Sequence, residues 1–255
     1  MNRVAAIIPA RMDSSRFPGK PLLDFRGLPM VEHVRRRALR AGIFSDVIVA
    51  TCDDVIFNAV EKHGGRVIMT AKSHVAATDR VAEAVQKLDC THVVNIQGDE
   101  ILVLPEDLRN IVNAINASAA PKAWNAIAPI ESAAELSDRS IVKCTVSLSG
   151  RIMACARDLS RLSVSPPTFE PVRKILGIIA FERQFLDQYG AMIRTPVETA
   201  ESIDQSRIVE HDILLQGVPF TRGYPGINEP REVALVEELL KSDARQREAL
   251  REILY

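Results

Sequence analysis

The chain begins with a short apolar run, Val4 to Ile8, and comes back to such runs at Val47 to Thr51, Val67 to Thr70 and His92 to Gln97. Each is bounded by polar residues or glycine, the pattern of a strand buried on both faces. Between them Pro29 to Ala41, Val55 to His63, Thr78 to Leu88 and Pro105 to Ala117 carry apolar residues at spacings of three and four, which predicts amphipathic helices. Gly42 and the Gly64-Gly65 pair follow two of these as C-terminal stops. Strands with no polar face, separated by helices, predict a parallel sheet with right-handed crossovers. The expected fold class is α/β, a doubly wound, mostly parallel Rossmann-like sheet.

Past residue 120 the pieces lengthen and read as extended: Ala126 to Ile130, Ile141 to Ser147, Ile152 to Ala156 and Val172 to Phe181, with S-L-S-G as a turn between the second and third. These predict antiparallel additions to the same sheet. Helical spacing resumes over Glu201 to Gln216 and Glu229 to Leu254, and Ser165-Pro166-Pro167, in the least regular stretch, reads as a flap.

Composition narrows the function. With 32 Lys plus Arg against 33 Asp plus Glu the net charge is -1, so no bulk attraction draws the chain to nucleic acid or an anionic membrane. Anion binding must be local. Four cysteines, Cys52, Cys90, Cys144 and Cys155, form no CxxC pair and read as reduced core thiols; the five histidines lack zinc-ligand spacing near them. No apolar stretch approaches the roughly 20 residues that span a bilayer, and the N-terminal run is too short for a signal segment. A cytoplasmic protein is expected.

In an open parallel sheet, ligands bind beyond the carboxyl ends of the strands. The first strand is followed by R-M-D-S-S-R-F-P-G-K, in which Ser14, Ser15 and Gly19 permit close backbone approach while Arg11, Arg16 and Lys20 can neutralise phosphate oxygens. A solvated basic loop is the plain alternative, and Walker A spacing is absent. The fourth strand ends in V-V-N-I-Q-G-D-E, placing Asp99 and Glu100 either as a turn pair or where a hard cation would bridge carboxylate and phosphate.

Together these segments resemble R-x-x-S-[ST]-R-[LF]-P-G-K-P-L and V-N-[IV]-Q-G-D-E, signatures of the 3-deoxy-manno-octulosonate cytidylyltransferase family, which makes CMP-activated acidic sugars. The resemblance extends over nearly the whole chain. M-T-A-K-S-H-V-A-A-T-D-R is similar to the family's M-T-x-x-x-H-x-S-G-T-[DE]-R, with Ala76 and Ala77 in place of Ser and Gly. The segment I-V-K-C-T-V-S-L-S-G-R-I-M-A-C-A-R, which contains Lys143 and ends at Arg157, and the segment T-P-V-E-T-A-E-S-I-D-Q-S-R match two further patterns.

The resemblance implies CTP bound by Ala10, Arg11, Ser14, Ser15, Gly19, Lys20, His74, Thr78, Arg80 and Gln97, with Arg11, Lys20 and Asp99 catalytic. It implies Mg2+ on Asp99, with Asn228 or Glu229 as a second ligand, and an acidic acceptor held by Arg157, Glu201, Asp204 and Gln205. Glu201, Asp204 and Gln205 would share one face of a helix. One domain over 1–255 is expected: a nucleotide-binding half to 120, an acceptor-binding and dimerisation insertion over 121–228, and a C-terminal helix over 229–255. A homodimer is implied.

Departures concentrate on the acceptor side. The family's H-x-G-I-Y-x-[FY]-R is I-L-G-I-I-A-F-E here, so Ile175, Ile179 and Glu182 replace His, Tyr and Arg. G-[IV]-D-T-P-E-D becomes G-I-N-E-P-R-E with Asn228 for Asp, and V-A-T-D becomes V-A-T-C at Cys52, with Asp53 next along. The expected function is CMP transfer from CTP to 3-deoxy-manno-octulosonate or a modified analogue such as an amino-substituted one. A nucleotidylyltransferase for another sugar acid, phosphate or phosphonate, and a non-catalytic nucleotide-binding homologue, are the alternatives.

Overall fold

β1, Val4–Ala10, is buried at every position, and the sheet is built outward from it. The computed structural model describes every residue except Met1, Ser15, Val75, Ser163, Ser165, Pro167, Thr168 and Tyr255. The proposed phosphate ligand Ser15, and Ser165 and Pro167 of the expected flap, therefore lie outside the described residues.

After β1 come a 3-10 turn at Lys20–Leu22, a small hairpin of β2 (Asp24–Phe25) and β3 (Leu28–Pro29), and α1 (Met30–Arg40). Then β4 (Asp46–Thr51), α2 (Asp54–Lys62), β5 (Arg66–Met69), α3 (Ala77–Val85), β6 (His92–Ile96) and α4 (Pro105–Ala117) alternate. These match the elements read from periodicity to within a few residues. The second half runs β7 (Ala123–Pro129), α5 (Ala133–Ser137), β8 (Lys143–Val146), β9 (Ile152–Ala156), β10 (Val172–Glu182), α6 (Arg183–Tyr189), α7 (Pro196–Glu201), α8 (Gln205–Glu210), β11 (Leu215–Pro219), α9 (Glu232–Ser242) and α10 (Ala244–Leu254).

The main sheet has the order β11-β7-β10-β6-β1-β4-β5. β5, β4, β1 and β6 are parallel, β10 runs antiparallel between β6 and β7, and β11 is parallel to β7. The start of β10 also pairs with β8, which carries β9 on its other edge. The class is α/β with a largely parallel sheet and antiparallel additions, as expected. One face packs on α1, α2 and α4 through residues such as Val34, Ile56, Val60 and Ile111. The other packs on α3, α6 and α8 through Val81, Val85, Phe185 and Ile208. Cys144 and Cys155 are opposite each other on β8 and β9 as free buried thiols, and burial pushes the Cys155 thiol up to about 12.

Two expected helices are broken. Glu201 to Gln216 is not continuous: α7 stops at Glu201, Ser202 takes the left-handed conformation at φ 54°, and α8 starts at Gln205. Its expected end is the start of β11, where pairing with β7 buries Leu215 and Val218 and overrides local helical spacing. Glu201, Asp204 and Gln205 therefore do not share one helix face. The C-terminal helix divides at Asp243, whose extended backbone ends α9 while its Oδ1 accepts from Gln246 N at 3.0 Å and caps α10.

α1 holds a buried titratable group. His33 is fully buried, its Nε2–H donating to Phe25 O at 2.6 Å, and Nδ1 has no partner among the described residues. Burial above all, helped by the Arg37 and Arg36 charges and opposed by the Phe25 carbonyl, brings its pKa down to about 4. The unfolded chain, with an ordinary value near 6.5, takes the proton first. This stabilisation is complete above about pH 6.5 and is lost as pH falls towards 4. Urea unfolding at pH 7.5 and 4.5 should show about 2 kcal/mol more acid destabilisation in the native chain than in His33→Gln. Equal losses in both proteins would exclude His33 as the source.

Candidate active site

A pocket of about 240 Å³ opens beyond the carboxyl ends of β1 and β6. Its first wall is the loop after β1. Ala10, Arg11, Ser14, Arg16 and Lys20 all line it. The loop curls because Ser14 N and Gly19 N both donate to Met12 O at 3.0 Å and Phe17 N donates to Ser14 Oγ at 3.3 Å. Gly19 sits at φ 78°, where a side chain would be strained. Asp53 anchors the loop from the next strand end, its Oδ2 accepting from Met12 N at 2.8 Å.

The second wall is the turn after β6. Gln97, Gly98 and Asp99 line the pocket, and a Cβ on Gly98 would be 3.1 Å from Pro9 O, so glycine permits β1 and this turn to close together. Lys20 Nζ spans the two walls, donating to Asp99 Oδ2 at 2.8 Å and Ile227 O at 2.9 Å. Glu100 faces away, its Oε1 accepting from Gly177 N at 2.7 Å, while Gln97 N donates to Gly177 O at 2.8 Å. Burial, then the adjacent Asp99, pushes the Glu100 carboxyl up to about 7, with the Gly177 amide pulling it down.

The third wall is the start of α3 and the loop before it. His74, Ala76, Ala77 and Arg80 line the pocket; Thr78 is buried but does not. His74 Nε2 pairs with Glu83, and Arg80 NH1 donates to Thr70 Oγ1. Hydrogen bonds from Ala71 N and then His74 hold the Glu83 carboxyl below its usual range. Arg11, Arg16, Lys20 and Arg80 thus surround one carboxylate, Asp99, in a pocket suited to a polyanion.

The family model for cytidylyltransferases matches residues 5–218. The chain belongs to the cytidylyltransferase family. It is 37% identical to the 3-deoxy-manno-octulosonate cytidylyltransferase of Myxococcus xanthus, over 94% of this chain and 97% of that one. It is 33% identical to the enzyme of the same name from Escherichia coli, over 95% and 98%. A solved structure of CMP:2-keto-3-deoxy-manno-octonic acid synthetase complexed with CTP superposes with a TM-score of 0.88 at 32% identity, covering 94% of this chain and 99% of that one.

In this family member the residues expected to hold the acceptor lie apart from the pocket. None of Arg157, Glu201, Asp204 or Gln205 is among its lining residues. Arg157 donates to main-chain carbonyls, Nε to Glu201 O at 2.6 Å, NH1 to Arg139 O at 2.9 Å and NH2 to Ser202 O at 3.1 Å, so it clamps the turn between α7 and α8. Lys143 is fully buried and donates to the carbonyls of Asp138, Ile141 and Arg157, a structural role. Asp204 is exposed, and Glu201 lies 3.5 Å from Arg139. Gln205 Nε2 donates to Asn125 Oδ1 at 3.0 Å.

The two candidates for a second oxygen ligand separate. Asn228 Oδ1 accepts from Arg16 NH2 at 3.0 Å, whereas Glu229 pairs with Arg231 at 2.9 Å. Glu232 holds this loop from below, accepting from the amides of both. Asp53, Gly177 and the Arg16–Asn228 contact are the contributors that sequence reasoning did not assign. Asp53 had a signal, an acid directly after a strand end; the role of Gly177 depends on which strand becomes its neighbour.

A Cβ at position 177 would lie 2.7 Å from Glu100 Oε1 and 2.9 Å from Gln97 Cγ. Gly177→Ala should cost about 1–3 kcal/mol through overpacking and lower the melting temperature by several degrees. It should also weaken nucleotide binding, since the displaced turn carries Asp99. Unchanged CTP affinity in a calorimetric titration would show that the turn tolerates the shift.

Proposed function

We propose that the chain transfers CMP from CTP to 3-deoxy-manno-octulosonate or a closely related acidic sugar, with release of pyrophosphate. The observation that carries this is the Lys20–Asp99 pair joining a cation-rich loop to the Q-G-D-E turn at adjacent strand ends. The names of the relatives above supply the acceptor class.

The acceptor hydroxyl oxygen forms a bond to the α-phosphorus of CTP, the bond from that phosphorus to the bridging oxygen breaks, and the hydroxyl proton leaves to solvent. Arg11, Lys20 and Ser14 grip the triphosphate, and Arg80 and His74 border the nucleoside end. His74 is engaged by Glu83 and is assigned no proton-transfer role. Catalysis is mainly positioning and charge neutralisation by groups already fixed in place.

Mg2+ is the cofactor of this reading. Asp99 gives one carboxylate and Asn228 a neutral amide oxygen, and no group of three His, Cys, Asp or Glu ligands occurs among the described residues. That donor set fits a hard cation held by one carboxylate together with substrate phosphate oxygens. Bound there, the ion would offset phosphate charge. Asn228 or Glu229 would be the second donor, and each is engaged by an arginine, Arg16 and Arg231 respectively.

A different acid acceptor is favoured by the apolar side chains of Ile175 and Ile179, which face the same side of the sheet as Gln205's partner Asn125. A homodimer is also part of the proposal: β9 pairs only with β8 among the named strands, and Leu148 and Met153 on this hairpin are exposed. No helix of the described residues is long and apolar enough to cross a membrane, and four free cysteines suit a reducing cytoplasm.

Pyrophosphate release should require CTP, Mg2+ and an acid from a panel of 3-deoxy-octulosonate, its amino analogue, sialic-type acids and sugar phosphates. Lys20→Ala and Asp99→Ala should lower turnover at least 100-fold with the fold intact. Tight CTP binding without turnover on any acceptor would support a non-catalytic homologue instead. Light scattering should give twice the chain mass, with Leu148→Asp shifting it towards the monomer; a monomeric native chain would sink the dimer.

A further inference from the structure

Asn125 occupies a junction whose hydrogen-bond polarity can be worked out from its neighbours. It is fully buried on β7, and its Nδ2 donates to Ala126 O at 2.8 Å and to Leu176 O at 3.1 Å. Leu176 lies in the irregular part of β10 between Ile175 and Ile179, where the ladder to β7 is interrupted. Carbonyls only accept, so the Asn125 nitrogen must face them and its oxygen must point the other way. There it receives Gln205 Nε2 at 3.0 Å. The polarity passes one step further. With its nitrogen turned to Asn125, half-buried Gln205 turns Oε1 away from it, and that oxygen has no donor among the described residues.

The placement points to a ligand. Asn95, Ile179 and Asn125 are directly opposite one another across β6, β10 and β7. Two strand spacings, roughly 10 Å, therefore separate Asn125 from Asn95, which lies two residues before the pocket residue Gln97 on the same face. Asn95 is fully buried with both amide atoms unpartnered, and Ile179 between the two asparagines offers no polar group. Among the described residues nothing takes up the hydrogen-bonding capacity of the Asn95 amide.

We propose that Asn125 is a positioning residue that fixes Gln205 with its carbonyl oxygen outward, so that the acceptor subsite selects a hydrogen-bond donor there, a hydroxyl or N–H, and disfavours an anionic group. This rests on the reading of the chain as a sugar-acid cytidylyltransferase. It also explains why an amide, and not a carboxylate, suits position 205: Gln205→Glu would set one acceptor oxygen against another.

Asn125→Ala, or Asn125→Ser if the first variant misfolds, should raise the acceptor KM about tenfold while kcat and the KM for CTP stay within twofold. An acceptor analogue lacking the donor group should lose about tenfold with the native enzyme and nothing further with the variant. The Gln205 side-chain amide protons, assigned by their loss in Gln205→Leu, should exchange slowly in the native protein and fast in the Asn125 variant. Fast exchange in the native protein, or an unchanged acceptor KM in the variant, overturns the proposal. A native chain inactive on every acid would instead refute the functional reading, and the exchange measurement would still decide whether Asn125 orients Gln205.

Discussion

The site depends on one contact between distant strands, the pair of hydrogen bonds by which Gly177 on β10 holds the turn after β6. Its amide takes Glu100 and its carbonyl takes Gln97, so the two residues flanking Gly98-Asp99 are tied to a neighbouring strand. Asp99 is left facing Lys20, and Gly98 lets the turn pack closely against Pro9 of β1. A side chain at 177 would fill the place where these bonds are made. The antiparallel insertion of β10 into an otherwise parallel region is thus the means by which the catalytic turn acquires its shape.

The same strand separates two kinds of surroundings. On its β6 side the groups are charged and converge on the nucleotide pocket; on its β7 side they are amides and aliphatic side chains. Arg157, which the family resemblance would place on the acceptor, instead donates to main-chain carbonyls at the turn between α7 and α8, and Lys143 likewise satisfies main-chain carbonyls. Cations committed in this way stabilise the frame on which Gln205 is mounted.

The first half of the fold was legible because the central strands are apolar on both faces and each helix repeats its apolar residues at three and four, and those local patterns coincide with the tertiary arrangement. The phosphate loop and the Q-G-D-E turn were legible for a similar reason, since ligand-binding ends of strands are marked by glycine and charge in a continuous stretch. The break at Ser202 and the strand at Leu215 were not, because one needs a left-handed residue that is not glycine and the other needs a partner 92 residues away at Ala123. Asn125 carried no local signal, and Gly177 was marked only as the glycine kept in I-L-G-I-I-A-F-E, with nothing local to say what it contacts. Their importance comes from register.

Lys20 also bonds the carbonyl of Ile227, and Arg16 bonds Asn228, so the opening loop of the chain is completed by residues more than 200 positions later. During synthesis the loop leaves the ribosome early but lacks these partners until most of the polypeptide has followed. The residues lining the pocket all lie between Pro9 and Asp99, but two of its cations are fixed in place only once residues 227 and 228 have been made, near the end of translation.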